Sequence, residues 1–325
     1  MIPSYNLSDE LTELIGFTED LLGISITLRH QDNIPDQGVL IDDYTYGSGS
    51  NLILFSSNEL GMLKDFVITK NCMELILKGV AASKDNYRVL SFNQESALEG
   101  MKQVYLDVLK DETTRSLDIS RRKAMLFYLF LSIRNTLSEI PWSILSNIYI
   151  SRRYPVMRNS QVYLLVRESM YEMHALEQAS RDFPQRYYVI HNAIYYARDM
   201  LLAYTLAEYR LNPMINIPEL QQFRALDMKS MMDSRWSRSH WYHTKVVGDA
   251  MSNIIKLTLK TDITKPEGLD LFYDLYQSGV AVTNRWLVMM AMQDWYLWES
   301  PEEWRKTSDM QGSIEHEVLS TIFTE

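Results

Sequence analysis

The spacing of apolar residues changes several times over the first part of the chain, and each change predicts one element. From Ser8 to Leu22 apolar residues recur every three or four positions, which predicts an amphipathic helix with Ser8 as its N-cap. The segments that follow either alternate apolar with polar residues or concentrate β-branched and aromatic ones. They predict three strands: Ile24–Leu28, Val39–Tyr46 and Leu52–Phe55.

A second, longer helix is predicted over Asn58–Lys78, and Gly79 is the candidate glycine that ends it. In its second half the apolar stripe is interrupted by Lys70, Asn71 and Glu74. Because positions 70 and 74 are one turn apart, their side chains share one face of the helix. The simplest interpretation of that face is an exposed Lys–Glu pair on the protein surface.

The pattern changes after a fourth short strand, which is predicted over Tyr87–Phe92. From about Gln94 onward, apolar residues keep helical spacing almost to the end of the chain. The predicted helices are Gln94–Leu109, Ile119–Leu137, Pro141–Ile150, Ser160–Ser180, Gln185–Tyr209, Pro218–Met232, Thr244–Thr258, Pro266–Trp298 with a break near Gly279, and Ser313–Phe323. We therefore predict an α+β fold. Residues 1–93 form a small domain of helix, three-stranded sheet and long helix, and residues 94–325 form a larger all-helical domain.

Composition narrows the class of protein. With 46% hydrophobic and 23% charged residues the chain is ordinarily globular. Its one cysteine, Cys72, excludes an intrachain disulfide and a Cys-rich zinc site, and it fits a reducing compartment. We find neither a secretory signal nor an apolar run long enough to span a membrane, so we expect a cytoplasmic protein. The formal charge of −10 disfavours nucleic acid as the main partner, unless a local basic patch binds it.

The order of helix, three strands and long helix resembles the minimal zincin core of the ImmA/IrrE-type metallopeptidases. That family carries His-Glu-x-x-His and then a run such as Leu-Ile-Leu on the long helix, and this chain reads TKNCMELIL from residue 69. On this resemblance the two ligand His fall on Lys70 and Glu74, the general-base Glu falls on Asn71, and the acidic third ligand falls on Glu95 or Glu99.

These replacements change the chemistry that the resemblance implies. An ammonium at Lys70 competes with a metal ion, and the amide of Asn71 is a poor proton acceptor. The resemblance therefore implies a peptidase scaffold with a degenerate motif and with no metal or other cofactor. A metal held by Glu74 with Glu95 or Glu99 and water is the alternative use of the same positions.

A second resemblance rests on Arg186 and His191, which are separated by four residues. HEPN-type helical ribonucleases carry an Arg and a His at such spacing, late in an all-helical domain. The resemblance implies that Arg186 stabilises phosphate charge and that His191 moves the proton of an attacking 2′-hydroxyl. This chain departs from the family in having Tyr187 after the Arg. The other interpretation is a core-facing His191 beside a solvated Arg186.

The segment over residues 235–243 interleaves cationic and aromatic side chains. Arg235, Arg238, His240 and His243 alternate there with two Trp and one Tyr. Two His three residues apart could bind one metal ion, but the neighbouring cations favour an anion, a phosphate or a stacked base. The alternative is a loop that its aromatic residues anchor to the helical core.

Two functions from different classes follow. The first is a non-catalytic sensor or regulatory protein that binds a small molecule or a protein partner through a degenerate metallopeptidase-like domain. The second is a phosphate-directed enzyme, such as a HEPN-like ribonuclease, that acts through Arg186 and His191 or through the segment over residues 235–243.

Overall fold

The computed structural model describes residues 5–31, 34–35, 38–56, 61–112, 118–168, 253–254, 256–289 and 291–306. Over these ranges the fold is α+β, as the sequence predicts, with a three-stranded sheet first and mainly helices afterwards. The elements are α1 (Asp9–Leu22), β1 (Ile26–Gln31), β2 (Val39–Ile41), α2 (Asp43–Tyr46), β3 (Asn51–Ser56), α3 (Met62–Ser83), β4 (Val89–Phe92), α4 (Gln94–Lys110), α5 (Ile119–Arg153), a 3₁₀ turn (Pro155–Met157), α6 (Pro266–Met289) and β5 (Tyr296–Glu299). Residues 158–168 and 301–306 are also helical.

The first helix begins and ends where the sequence predicts. The Ser8 hydroxyl accepts a hydrogen bond from the N–H of Leu11, and Gly23 ends α1 in the left-handed conformation with φ 65°. The Glu19 carboxylate then accepts a hydrogen bond from the N–H of Ile26 at 2.7 Å. This bond fixes the start of β1 against the end of α1.

The three strands form one sheet with the order β1-β3-β2, in which β1 is parallel to β3 and β2 is antiparallel to it. Ile53 and Phe55 of the central strand are buried in the apolar core. The strand predicted over Val39–Tyr46 is too long, because the chain turns at Asp42 and forms α2. The Asp42 side chain accepts the N–H of Thr45 at 2.7 Å and so caps that short helix.

Helix α3 runs through the centre of the described structure and contacts α1, the sheet, α5 and α6. Its predicted start at Asn58 lies outside the described residues. The predicted end at Gly79 is wrong, because α3 continues to Ser83. A Cβ atom at Gly79 would lie 2.5 Å from a methyl carbon of Leu22 and 3.0 Å from the hydroxyl of Tyr44. Glycine is needed there for close packing of neighbouring elements on α3, not to end the helix.

Two helices were predicted over residues 119–150, but the structure has one, α5, with Pro141 inside it. Pro141 packs against Gly279 of α6, where an added Cβ would lie 3.0 Å from the Pro141 Cβ. Proline removes one helical hydrogen bond and clashes with the preceding turn. The close packing against α6 compensates, so the helix continues past the proline.

The helix predicted over Pro266–Trp298 ends earlier, at Met289, and the break predicted near Gly279 is wrong because the helix is continuous through that residue. Ala291 is left-handed with φ 55°, and the N–H of Met292 donates to the carbonyl of Leu287. Both features close the helix. Tyr296–Glu299 then forms β5, which pairs antiparallel with β4. The domain boundary predicted at residue 93 stays a prediction. The pairing of β4 with β5 crosses that boundary, because β4 precedes residue 93 and β5 follows it.

No helix in the described ranges combines the length and the low polarity that crossing a bilayer requires.

Candidate ligand-binding cleft

The second half of α3 and the middle of α5 line a cleft of about 670 Å³, which we call the large chamber. Along α3 its lining side chains are Lys70, Asn71, Glu74 and Lys78. Along α5 they are Ser138, Glu139 and Trp142, and the rest of the lining is Ile34, Pro35, Gly38, Leu40, Tyr46 and Glu168. Positions 70, 71 and 74, on which the sequence resemblance rests, therefore share one cavity.

The interpretation of residues 70 and 74 as an exposed surface pair is wrong. Lys70 is only 6% exposed, and its Nζ lies 5.4 Å from the ring centre of Trp142, within cation–π distance. The side chain of Glu74 is 15% exposed. Asn71 donates from Nδ2 to the carbonyl of Val67 at 2.8 Å, which turns part of its amide back onto α3.

Glu74 forms an ion pair with Lys78, one turn further along α3. The Nζ of Lys78 lies 2.8 Å from Oε1 of Glu74 and 2.8 Å from Oδ2 of Asp42. Burial acts to lower the pKa of Lys78, but the carboxylates of Glu74 and Asp42 outweigh it and raise that pKa well above its ordinary value. Lys78 therefore stays charged and balances the negative charge of Glu74 that would otherwise attract a metal ion.

A chain of hydrogen bonds holds Asp42 in place below this ion pair. Asp42 accepts from the hydroxyl of Thr45 at 3.0 Å, and that hydroxyl lies 2.7 Å from the hydroxyl of Tyr87. Burial, with smaller contributions from neighbouring carboxylates, raises the pKa of Tyr87 to about 12. A neutral phenol, a hydroxyl and a carboxylate thus fix the position of the Lys78 ammonium.

A second cavity of about 200 Å³, the small chamber, adjoins the large one. The residues that line both are Tyr46, Glu74, Lys78, Ser138 and Trp142. The small chamber is rich in aromatic rings, which are Tyr46, Tyr87, Trp142, Tyr276, Trp298 and Trp304. Lys78, Arg88 and Arg134 supply positive charge to its lining, and Glu74 supplies negative charge.

One wall of the small chamber comes from residues 296–306. The indole N–H of Trp298 donates to Oδ1 of Asn284 at 2.6 Å, and the ring of Trp304 meets that of Tyr46 edge-on at 5.6 Å. Arg305 donates to the carbonyl of Thr45 at 3.0 Å. These contacts hold residues 296–306 beside the Asp42–Thr45 hydrogen bonds. The small chamber therefore depends on contacts between segments that are far apart in the sequence.

Comparison with protein-family models, with curated proteins and with solved structures finds no match for this chain.

The residues at the motif positions do not fit a zinc ion. Zinc needs neutral imidazole, thiolate or carboxylate ligands, whereas Lys70 is cationic and Glu74 is bound to Lys78. Glu95 and Glu99 are exposed on α4 and do not line either chamber. Among the residues that the structure describes, no three His, Cys, Asp or Glu side chains come together in a way that could hold a metal. The resemblance to the zincin core stays a prediction.

The other candidate residues from the sequence lie outside the described residues. They are Arg186, His191, Arg235, Arg238, His240 and His243. The proposed phosphate chemistry at these positions stays a prediction from spacing alone.

Sequence inspection missed several residues of the cleft. Lys78 could have been predicted, because Glu followed by Lys four residues later is the favourable order for a helical ion pair. Asp42, Arg134 and Trp142 carried no such signal. Only tertiary packing brings them to α3.

Proposed function

We propose that this chain is a non-catalytic ligand-binding protein, of a sensor or regulatory kind, whose binding site is the cleft of two chambers. We further propose that its N-terminal part is a metallopeptidase-like scaffold with a degenerate motif. One observation carries the proposal. Lys70, Asn71 and Glu74 line a single cavity while Glu74 is bound to Lys78 at 2.8 Å.

The polar groups of the cleft are suited to binding more than to proton transfer. An ammonium whose pKa is held well above its ordinary value, as that of Lys78 is, stays protonated near neutral pH. It can act neither as a general base nor as a nucleophile there. Held between two carboxylates, it is instead a fixed charge that can orient a ligand.

The size and lining of the cleft also support a ligand. Small-molecule sites are usually cavities of about 300–1,000 Å³ with apolar and aromatic walls and a few fixed polar groups. The large chamber has about 670 Å³, and Trp142 and Tyr46 line both it and the aromatic small chamber. A ligand of moderate size could reach both chambers at once.

A cleft-filling substitution tests the proposal. Ser138 lines both chambers, so Ser138→Leu places a larger side chain at their junction. The control is Ser120→Leu, the same change at an exposed position of the same helix. In a ligand-observed NMR screen of small charged and aromatic fragments, fragments that bind the wild type and the control should not bind Ser138→Leu. The proposal fails if no fragment distinguishes the two variants.

A further inference from the structure

The walls of the small chamber are suited to one flat ring. Six aromatic side chains line it, which are Tyr46, Tyr87, Trp142, Tyr276, Trp298 and Trp304. Indole and phenol rings hold another ring by offset stacking or by edge-to-face contact. An apolar cavity of about 150 Å³ is known to hold a benzene molecule, and the small chamber has about 200 Å³. One flat ring with short substituents therefore fits the chamber.

The hydroxyl of Tyr276 is a polar group of this chamber for which the described part of the chain supplies no partner. Tyr276 is only 9% exposed, and no described residue forms a hydrogen bond with its hydroxyl. Burial raises the pKa of Tyr276, with smaller effects of Tyr87, Lys78 and Glu74, so the phenol lies in the neighbourhood of the Lys78–Glu74 ion pair. Buried hydroxyls usually meet water or a ligand where the protein offers no partner. This hydroxyl therefore indicates a place for a polar atom of a ligand.

The Lys78–Glu74 ion pair also keeps capacity for hydrogen bonds. An ammonium has three N–H donors, and Lys78 directs them to Oδ2 of Asp42 and Oε1 of Glu74, with one left that no described residue accepts. Within the described ranges, no group donates to Oε2 of Glu74. The side chains of Lys78 and Glu74 are 17% and 15% exposed, and both line the small chamber. A donor and an acceptor therefore lie side by side in its lining.

This adjacent donor and acceptor select the class of ligand. A carboxylate on the ligand would be repelled by Glu74, and an ammonium on the ligand would be repelled by Lys78. A neutral ring edge with a carbonyl next to an N–H avoids both penalties, because the carbonyl accepts from Lys78 and the N–H donates to Glu74. Such an edge is a lactam, and the bases guanine, hypoxanthine, uracil and thymine all carry one.

We infer that the small chamber binds a nucleobase with a lactam edge. The base lies between the aromatic walls, with its lactam at Lys78 and Glu74 and a further ring atom at the Tyr276 hydroxyl. This inference rests on the proposed function and names the class of ligand for the same cleft. The sugar would extend past Ser138, which lines both cavities, into the large chamber. Two sources share this chemistry, namely a free nucleoside and a base in a single strand of nucleic acid.

Isothermal titration calorimetry with paired nucleosides tests the inference on the wild-type chain. Inosine and uridine carry the lactam edge, whereas 1-methylinosine and 3-methyluridine have a methyl group in place of its N–H. Methylation removes a hydrogen bond to a charged group, so at least one of the two nucleosides should bind at least about tenfold more tightly than its methylated form. Binding of neither nucleoside, or methylated forms that bind as tightly as both parent nucleosides, overturns the inference.

Tyr276→Phe tests the contact with the phenol hydroxyl. The variant keeps the ring and loses one hydrogen bond, so it should bind the nucleoside about three- to tenfold more weakly than the wild type does. Tyr163→Phe, the same change in a residue that is 53% exposed, should leave the affinity unchanged. Thermal melting should show both variants to be as stable as the wild type, which confirms that they fold. Equal affinity of Tyr276→Phe and the wild type overturns the inference.

Two further comparisons separate the possible failures and the possible sources. If neither nucleoside binds while fragments still lose binding in Ser138→Leu, the inference is overturned and the proposed function stands. A nucleoside that binds the wild type is then compared with its own trinucleotide. Tighter binding of the trinucleotide supports the inference with a nucleic-acid strand as the source, and equal or weaker binding supports it with a free nucleoside as the source.

Discussion

The ammonium of Lys78 and the carboxylate of Asp42 lie 2.8 Å apart, and Asp42 has no exposed surface. Asp42 also caps α2, so one carboxylate joins the loop after β2 to the second half of α3. The pair holds Lys78 in contact with Glu74 as well. The position of the Lys78 ammonium beside Glu74 is therefore fixed in part by Asp42, a residue far away in the sequence.

Removing Asp42 should destabilise the fold strongly. Asp42→Ala leaves the Lys78 ammonium without one of its two carboxylates and removes the cap of α2, which should cost about 3 kcal/mol of unfolding free energy. Urea denaturation measures this loss. Asp20→Ala, an exposed position on α1, is the matched control and should change stability by less than about 0.5 kcal/mol. An equally small loss of unfolding free energy in Asp42→Ala would show that the Asp42–Lys78 ion pair does not stabilise the fold.

The phenol of Tyr87 should make stability depend on pH in the alkaline range. Its pKa is about 12 in the folded chain, mainly because of burial, against an ordinary value near 10. The folded state therefore keeps a proton that the unfolded state loses, so this contribution is complete below about pH 10 and decreases as pH rises from about 10 to 12.

Comparison with Tyr87→Phe isolates that contribution. At pH 8 the variant should be less stable by about 1 kcal/mol, because the Thr45 hydroxyl loses a hydrogen-bond partner. The difference in unfolding free energy between the wild type and the variant should become smaller at pH 10, 11 and 11.5, because phenylalanine has no proton to lose. Chemical denaturation at each pH measures it. Tyr163→Phe is the control for general effects of alkaline pH, because Tyr163 is 53% exposed. A difference in unfolding free energy that stays constant or grows with pH would contradict the raised pKa of Tyr87.

Local patterns predicted the elements of the first part of the chain, and the prediction failed where a helix cap or a long-range strand pairing overrode the local preference. Residues 43–46 have aromatic and β-branched side chains that favour a strand, yet the cap at Asp42 makes them helical. Residues 296–299 continued a helical pattern, yet pairing with β4 makes them a strand. The cap at Asp42 lies inside the predicted strand, whereas the pairing with β4 comes from a distant part of the sequence.

The candidate site was predicted only in part, because local spacing carries no information about tertiary packing. Helical spacing placed Lys70 and Glu74 on one face of α3, and the structure places that face in a cleft. Spacing could not show that the face is buried, because the residues that cover it come from distant segments. They are Trp142 and the wall of the small chamber formed by residues 296–306. The enclosure of this face in a cleft is a tertiary property.

Close packing of α5 on α6 should be sensitive to the side chain at position 279. Gly279→Leu would push against Pro141, whose Cβ lies 3.0 Å from the position of an added Cβ, and should destabilise the fold by about 2 kcal/mol. Ser278→Leu introduces the same side chain at the neighbouring exposed position and should be nearly neutral. Thermal melting of both variants checks the prediction. Equal melting temperatures would show that the helices can separate locally without cost.

The most direct test of the central claim is zinc binding measured as a difference between two forms of the full chain. The wild type and Glu74→Gln are dialysed against the same zinc solution, and bound metal is counted by elemental analysis. Because Glu74 is held by Lys78 and Lys70 stands beside it as a cation, the two forms should retain the same amount of zinc. One zinc ion per chain that is present in the wild type and lost in Glu74→Gln would contradict the account.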